Sequence, residues 1–139
     1  MKIVTEHLRV DTKGPGDLVN ITDRVVEALE RSGLRDGAMT VFNIGSTAGI
    51  ATFEFEPGLI KDVQELYEKL IPHNKHHHHD ETWGDANGFS HLRAMIQGPS
   101  LVIPFQGGSL LLGTWQQVVL AEFDNRPRHR DVVVQMVGH

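Results

Sequence analysis

Hydrophobic and polar positions alternate along several segments of the chain, which is the pattern of half-buried β-strands. In residues 2–11, Val4, Leu8 and Val10 share one face, which Glu6 interrupts. Further alternating or continuously apolar runs, bounded by turn-forming residues, predict strands at 38–45, 51–56, 100–105, 109–123 and 131–138.

Apolar residues at helical spacing predict two longer helices and a short one. The longer helices cover 20–33, where Gly33 suits the C-terminal end, and 59–71, which stops before Pro72. The short helix covers 87–98. Because strands and helices follow one another in no regular βαβ order, the sequence predicts an α+β fold. We expect a single-domain, mixed or antiparallel β-sandwich with two to three helices.

Length and composition narrow the class of protein. The 139 residues fit one domain, residues 1–139, and the net charge of −5 excludes a general basic surface for nucleic acid. No run approaches the roughly 18 apolar residues of a membrane span, and the start lacks the apolar core of a signal peptide. We therefore expect a cytoplasmic protein with no membrane partner. Without cysteine, any metal must be held by His, Asp, Glu or backbone oxygen.

The histidine run 76–79 stands in the polar segment 73–85, which is predicted to be an irregular loop. The run is either a solvated loop or it turns one or two imidazoles inward. In an extended segment alternate residues share a face, so His77 and His79 could project together, and His91 adds an imidazole on the short helix. Imidazoles bind metals and transfer protons. His79 and His91 are candidate ligands of a divalent metal, zinc or magnesium, although their spacing matches no recognised zinc motif.

Acidic and basic side chains lie close together late in the chain. Glu122 and Asp124 share one strand face, and Arg126, Arg128 and Arg130 follow directly. Such a group is either a solvated ion-pair network or a site in which planar guanidinium groups hold phosphate or carboxylate.

A second candidate anion site is the small-residue stretch 46–49, which contains Ser46 and Thr47. Small residues let backbone N–H groups approach an anion. The alternative is a tight turn between two strands.

Several motifs in the second half of the chain resemble those of one family. They are Asn87-Gly88-Phe89-Ser90-His91-Leu92, Gly98-Pro99-Ser100, Pro104, Leu112-Gly113-Thr114-Trp115-Gln116, Glu122-Phe123-Asp124 and Pro127-Arg128. This combination is similar to the YjbQ-like family, whose members are known as secondary thiamine-phosphate synthases. The resemblance covers nearly the whole chain and is densest from His79 to Gly138.

The resemblance implies a compact α+β sandwich that assembles as a homotrimer, with its site near subunit contacts. It also implies an enzyme able to replace the ordinary thiamine-phosphate synthase, which joins a pyrimidine methyl pyrophosphate to a thiazole phosphate and releases pyrophosphate. The residues that match the family's pattern are His79, Asn87, His91, Trp115, Gln116, Glu122, Asp124 and Arg128.

Two departures from the family pattern bear on the site. The family usually has a histidine where this chain has Gly45, so one expected imidazole is missing. The segment from Asp124 to Arg128 is one residue longer than the family's Asp-Gly-Pro-Arg, which re-aims the arginines. One of the additional histidines could compensate for Gly45.

Together these observations predict an enzyme acting on a small phosphorylated metabolite. We expect catalytic roles for His79, His91, Glu122 and Asp124. We expect substrate or phosphate binding by Asn87, Gln116, Arg126, Arg128, Ser46 and Thr47. No lysine lies in the signature region, which argues against Schiff-base chemistry there. The alternatives are a non-catalytic metal- or metabolite-binding trimer and a structural trimer whose histidines merely titrate.

Overall fold

Two antiparallel sheets form the framework of the computed structural model, which describes residues 1–139. The strands are β1 (Lys2–Asp11), β2 (Leu18–Asn20), β3 (Gly37–Ile44), β4 (Ala48–Phe53), β5 (Ser100–Gln106), β6 (Ser109–Leu110), β7 (Gln117–Glu122) and β8 (His129–Gly138). One sheet has the order β1-β8-β3-β5-β6 and the other β2-β7-β4. Every strand pair is antiparallel. The predicted α+β fold with antiparallel sheets is confirmed.

Four helices accompany the sheets, against the two to three that the sequence predicts. They are α1 (Thr22–Ser32), α2 (Pro57–Leu70), α3 (His78–Trp83) and α4 (Gly88–Gln97). The additional helix is α3, which lies in the histidine run. None of the four is long and apolar enough to cross a membrane.

The helix α3 forms where the sequence predicts an irregular loop. Its Asp80 carboxylate accepts hydrogen bonds from the backbone N–H groups of His77 and Gly88, both at 2.9 Å. The helix ends at Gly84, whose left-handed φ of 70° suits glycine. The expectation that His77 and His79 share a face of an extended segment is therefore wrong, since His79 lies inside a helix.

The main hydrophobic core lies between the two sheets, because inward positions alternate along each strand. Fully buried members of this core include Val41, Ile50, Leu120, Val132 and Val134. A smaller cluster on the opposite face of the three-stranded sheet faces α2 and α4. The three-stranded sheet is thus covered on both faces.

The single strand predicted at 109–123 is two strands, β6 and β7, which belong to different sheets. A turn separates them, in which the Gln116 N–H donates to the Gly113 carbonyl at 3.1 Å. The hydrophobic pattern of the sequence does not reveal this break, because apolar runs lie on both sides of it. The strand predicted at 51–56 is β4, which starts and ends three residues earlier.

Two connections cross from one sheet to the other at the same end of the sandwich. Residues 45–47 join β3 to β4, and residues 123–128 join β7 to β8. The two are adjacent, because the Phe123 N–H donates to the Thr47 carbonyl at 3.0 Å. The segment between α3 and α4 closes this end, since the Asp85 carbonyl accepts a hydrogen bond from the second connection at 2.7 Å. Three separate parts of the chain therefore meet here.

Candidate functional site

A polar cavity of about 400 Å³ lies where the two crossing connections meet α3 and α4. It is lined by Gly45, Ser46, Thr47, His79, Trp83, Asp85, Asn87, His91, Arg128 and Arg130. Trp83 is the only hydrophobic residue among them. A cavity with so many hydrogen-bonding groups favours a polar ligand.

Arg130 is held at the cavity by a buried ion pair with Glu122. The Glu122 side chain is fully buried and accepts hydrogen bonds from Arg130 Nε at 2.9 Å, from Arg130 Nη2 and from the Thr12 hydroxyl at 2.7 Å. The remaining amino group, Nη1, has no protein partner and would lie 3.1 Å from a Cβ on Gly45. The buried carboxylate therefore positions the guanidinium and leaves Nη1 facing Gly45, at the wall of the cavity.

Arg128 is held by Asp124 in the same manner. Its Nε and Nη2 donate to Asp124 Oδ2 at 2.7 and 2.5 Å, and its Nη1 has no protein partner. Burial alone raises the pKa of Asp124. Hydrogen bonds from Arg128, from the Asn125 N–H and from Asn87 outweigh burial, so that the pKa lies below its ordinary value of 3.8. Asp124 is therefore an ionised partner of Arg128 at neutral pH.

Thr47 connects the two ion pairs. Its hydroxyl accepts from Arg130 Nη2 at 2.8 Å and donates to Asp124 Oδ2 at 3.2 Å. The backbone N–H groups of Ser46 and Thr47 donate to no protein group. The predicted tight turn between strands is thus also a source of free donors beside two arginines, an arrangement suited to an anion.

Two imidazoles meet on the other wall. The rings of His79 and His91 have centroids 4.5 Å apart and are tilted by 43°. His79 Nδ1 is buried without a hydrogen-bond partner. Burial, together with the neighbouring His79, lowers the pKa of His91 below its ordinary value of 6.5, against the opposing influence of Asp124 and Asp85. His91 is therefore neutral at pH 7 and can both donate and accept a hydrogen bond.

The metal expected at His79 and His91 finds two protein ligands here. Zinc in proteins has three or four. No group of three or more His, Cys, Asp or Glu side chains in the chain has the spacing to hold a metal ion. The divalent metal expected at His79 and His91 therefore stays a prediction.

The structure brings together six of the predicted site residues: Ser46, Thr47, His79, Asn87, His91 and Arg128. Glu122 and Asp124 lie beneath the cavity as partners of arginines. Neither carboxylate hydrogen-bonds to an imidazole, because each is paired with an arginine.

Two predicted residues lie elsewhere. Gln116 bonds to the Thr52 hydroxyl at 3.1 Å, in the turn before β7 and outside the cavity. The side chain of Arg126 is exposed and does not line the cavity. Arg128, and not Arg126, reaches Asp124.

Two residues at the cavity, Trp83 and Asp85, have no assigned role in the sequence prediction. Arg130 is predicted only as one of three clustered arginines, without a binding role of its own. The inward position of Arg130 could have been predicted from the sequence. Val132, Val134 and Met136 mark the inward face of β8, and continuing the same alternation backwards gives Arg130. No other histidine lines the cavity to replace the imidazole missing at Gly45, since His76 and His78 are exposed.

The class of protein is an antiparallel sandwich with a polar cavity built from two ion-paired arginines and two adjacent histidines. The chain belongs to the YjbQ-like family, since the family model described as "UPF0047 protein YjbQ-like" matches residues 6–139. The family predicted from the sequence motifs is thereby confirmed.

Relatives of known sequence or structure match this chain over most of its length and over most of their own. A UPF0047 protein from Archaeoglobus fulgidus is 40% identical over 119 residues, which are 86% of this chain and 90% of that protein. A UPF0047 protein from Methanothermobacter thermautotrophicus is 37% identical over 138 residues, 99% of this chain and 94% of that protein. The crystal structure of a YbjQ-like protein of unknown function from Sulfolobus solfataricus has a TM-score of 0.93 and 31% identity, and the match covers 99% of each chain.

Proposed function

We propose that this chain is an enzyme acting on a small phosphorylated metabolite bound between Arg128 and Arg130. The observation that carries the proposal is the use of each guanidinium: one edge binds a buried carboxylate, and Nη1 is left without a protein partner. Guanidinium groups that are already held in place lose little freedom when they bind phosphate oxygens. The free N–H groups of Ser46 and Thr47 add donors of the same kind.

The reaction we propose is the one that the family resemblance implies, the formation of thiamine phosphate. The thiazole nitrogen attacks the methylene carbon of the pyrimidine methyl pyrophosphate. A C–N bond forms, the C–O bond breaks, and pyrophosphate leaves with the electron pair. Arg128 and Arg130 would stabilise the charge that develops on the leaving group. His79 or His91 would donate a hydrogen bond or proton to the departing oxygen.

We also propose the homotrimer that the resemblance implies. Exposed apolar side chains on the outer faces of β3 and β5 and on α4 support an assembly, since monomeric proteins seldom expose large apolar patches. They are Phe42, Ile44, Leu92, Met95, Ile96 and Val102. Sedimentation equilibrium should give three times the chain mass of 15.5 kDa. A monomer at micromolar concentration would overturn the trimer.

Calorimetric titration with pyrophosphate tests the binding half of the proposal. Arg128→Gln should weaken binding by about tenfold or more, because it removes hydrogen bonds between charged groups. Arg126→Gln is the matched variant, since this arginine is exposed outside the cavity and its loss should change affinity by less than about twofold. Equal losses of pyrophosphate affinity in both variants would contradict phosphate binding in this cavity.

Complementation of a thiamine-requiring strain tests the chemistry. We expect the wild type to restore growth and His91→Ala to fail at equal expression. No rescue by well-expressed wild type would overturn the thiamine-phosphate reaction. Rescue by both proteins would remove His91 from the mechanism.

One observation favours a second candidate, a non-catalytic metabolite-binding protein. Both buried carboxylates are engaged with arginines, so neither Glu122 nor Asp124 is free to act as a base. Stoichiometric pyrophosphate binding without turnover of the two thiamine precursors would support binding alone. Metal analysis of untagged wild type and His79→Ala would test the predicted divalent metal, zinc or magnesium, in the same samples.

A further inference from the structure

A second cavity, of about 470 Å³, opens between α2 and the region where β4 meets β5. It is lined by Leu18, Ile50, Ala51, Thr52, Phe53, Val63, Leu66, Tyr67, Gln97, Ser100, Leu101 and Ala121. None of these residues is charged, and none lines the polar cavity. The molecule therefore contains two cavities of opposite chemistry.

The second cavity lies beside α2, which is only partly buried against the sheet. No residue of this helix is fully buried, although its apolar residues recur at helical spacing. Leu66, on the rim, is 52% exposed. The helix is held partly by apolar contacts, since Ile60, Val63 and Tyr67 pack against the smaller cluster. Polar contacts add to these, since Glu56 caps its first N–H groups and Glu68 pairs with Arg93 at 2.9 Å. The apolar side of α2 therefore packs on the sheet only in part and leaves the cavity open beside it.

Hydrogen-bonding capacity in this cavity is concentrated at Tyr67 and Gln97. The Tyr67 hydroxyl donates to Gln97 Oε1, and Gln97 Nε2 donates to the Ile50 carbonyl at 3.2 Å. This leaves the lone pairs of the tyrosine oxygen and one amide N–H of Gln97 free. Of the other polar side chains, Thr52 already accepts from Gln116 and Ser100 is exposed.

We propose that this cavity is a second ligand site, which takes a neutral, mainly apolar small molecule with one hydrogen-bonding group. Its volume falls within the range of about 300–1,000 Å³ that is usual for small-molecule sites, and its lining is mainly apolar with few polar groups, as in such sites. A charged ligand is disfavoured, because it would leave water without finding an opposite charge. The hydrogen-bonding group of the ligand meets the Tyr67–Gln97 pair.

The two cavities lie at opposite ends of the same two elements. The C-terminal residue of α4, Gln97, lines the apolar cavity, whereas His91 of the same helix lines the polar one. Likewise, Thr47 precedes β4 at the polar cavity and Phe53 ends it at the apolar cavity. The second site therefore stands independently of the proposed reaction.

Binding of 2-naphthol to the full chain at pH 7 tests this site, with 2-naphthoate as its charged analogue. Tyr67 is the only tyrosine, so its ring resonances report on this cavity alone. We expect saturable binding of one 2-naphthol per chain with shifts of these resonances. Binding of 2-naphthoate should be weaker by about tenfold or more. Equal binding of both compounds, or no shift of Tyr67, would overturn the proposal.

Cavity-filling variants separate this site from general surface adsorption. Ala51→Leu and Leu66→Phe add volume inside the cavity and should each weaken 2-naphthol binding by about tenfold, since overfilled sites exclude a ligand. Ala38→Leu adds the same group on the outer face of β3 and should leave affinity unchanged. Thermal melts verify that the variants fold. Affinity that is equal in all four proteins would overturn the proposal. The proposal would also be overturned if the wild type did not bind 2-naphthol and Leu66→Phe dissociated an oligomer of the chain. A second copy of the chain would then fill the cavity.

Discussion

Thr47 and Arg130 are joined by a hydrogen bond of 2.8 Å from Nη2 to the threonine hydroxyl, although 83 residues separate them in the chain. The same arginine nitrogen donates to the Thr47 carbonyl at 3.1 Å. Thr47 in turn donates to Asp124, so that one residue at a sheet-to-sheet turn contacts both ion pairs. The turn, the buried carboxylates and the arginines therefore form one network.

Removing the Thr47 hydroxyl should weaken this network. Thr47→Val keeps the shape of the side chain but removes one hydrogen bond from Arg130 Nη2 and one to Asp124 Oδ2. We expect the free energy of unfolding to fall by about 1–3 kcal/mol. Thr47→Ser keeps the hydroxyl and should cost about 1 kcal/mol for the lost methyl group. Urea denaturation at pH 7 measures both, and an equal loss in the two variants would mean that the hydroxyl contributes little.

Glu122→Gln should be more damaging, because it leaves the Arg130 charge buried without a counter-charge. Breaking a buried ion pair in this way costs about 3–5 kcal/mol. Glu6→Gln is the comparison, since Glu6 pairs with Arg31 at the surface at 3.0 Å. Exposed pairs contribute about 0–1 kcal/mol. Guanidinium chloride unfolding of the two variants should separate them clearly, and a Glu122→Gln protein as stable as Glu6→Gln would refute the buried pair.

Acid should destabilise the protein through His91. Burial lowers the pKa of this imidazole in the folded state, so between its folded pKa and 6.5 the unfolded chain binds more protons than the folded one. Stability therefore falls as pH drops through the window just below 6.5, and the effect is absent above it. Urea unfolding from pH 7.5 to 5 should show a shallower decline in His91→Gln. The pH dependence of stability in His78→Gln, where the histidine is exposed, should follow that of the wild type. Identical profiles for the wild type, His91→Gln and His78→Gln would contradict the role of His91 burial.

Gly88→Ala should displace α3. A Cβ at this position would stand 2.8 Å from the His77 Cβ and 3.0 Å from Asp80 Oδ1, closer than real contacts allow. We expect a loss of about 1–3 kcal/mol from overpacking and a change in the His79 ring resonances as this helix moves. Gly113→Ala is a suitable control, because its Cβ would meet Gln116 at an ordinary 3.7 Å. Unchanged His79 resonances in Gly88→Ala would show that α3 is not held by this contact.

Alternation and helical spacing were sufficient to predict the fold class, most strands and three helices, because these depend on which face of an element is buried. The helix α3 escaped prediction because its first turn depends on Asp80 accepting a hydrogen bond from Gly88, outside the helix. Arg130 was predicted only as part of the arginine cluster and not as an inward strand residue, because the predicted strand begins one residue after it. The motifs identified Glu122 as a candidate site residue, but a linear pattern does not reveal that Arg130 pairs with its carboxylate.

The pairing of each cavity arginine with its own buried carboxylate has an electrostatic consequence. The charges of Arg128 and Asp124 cancel, as do those of Arg130 and Glu122, so an arriving anion meets directed N–H groups without a broad positive potential. Dissolved ions screen attraction between charges beyond about 8 Å at physiological ionic strength, and here there is little such attraction to screen. Anion capture would therefore proceed without electrostatic steering and would be nearly as effective in concentrated salt as in dilute buffer.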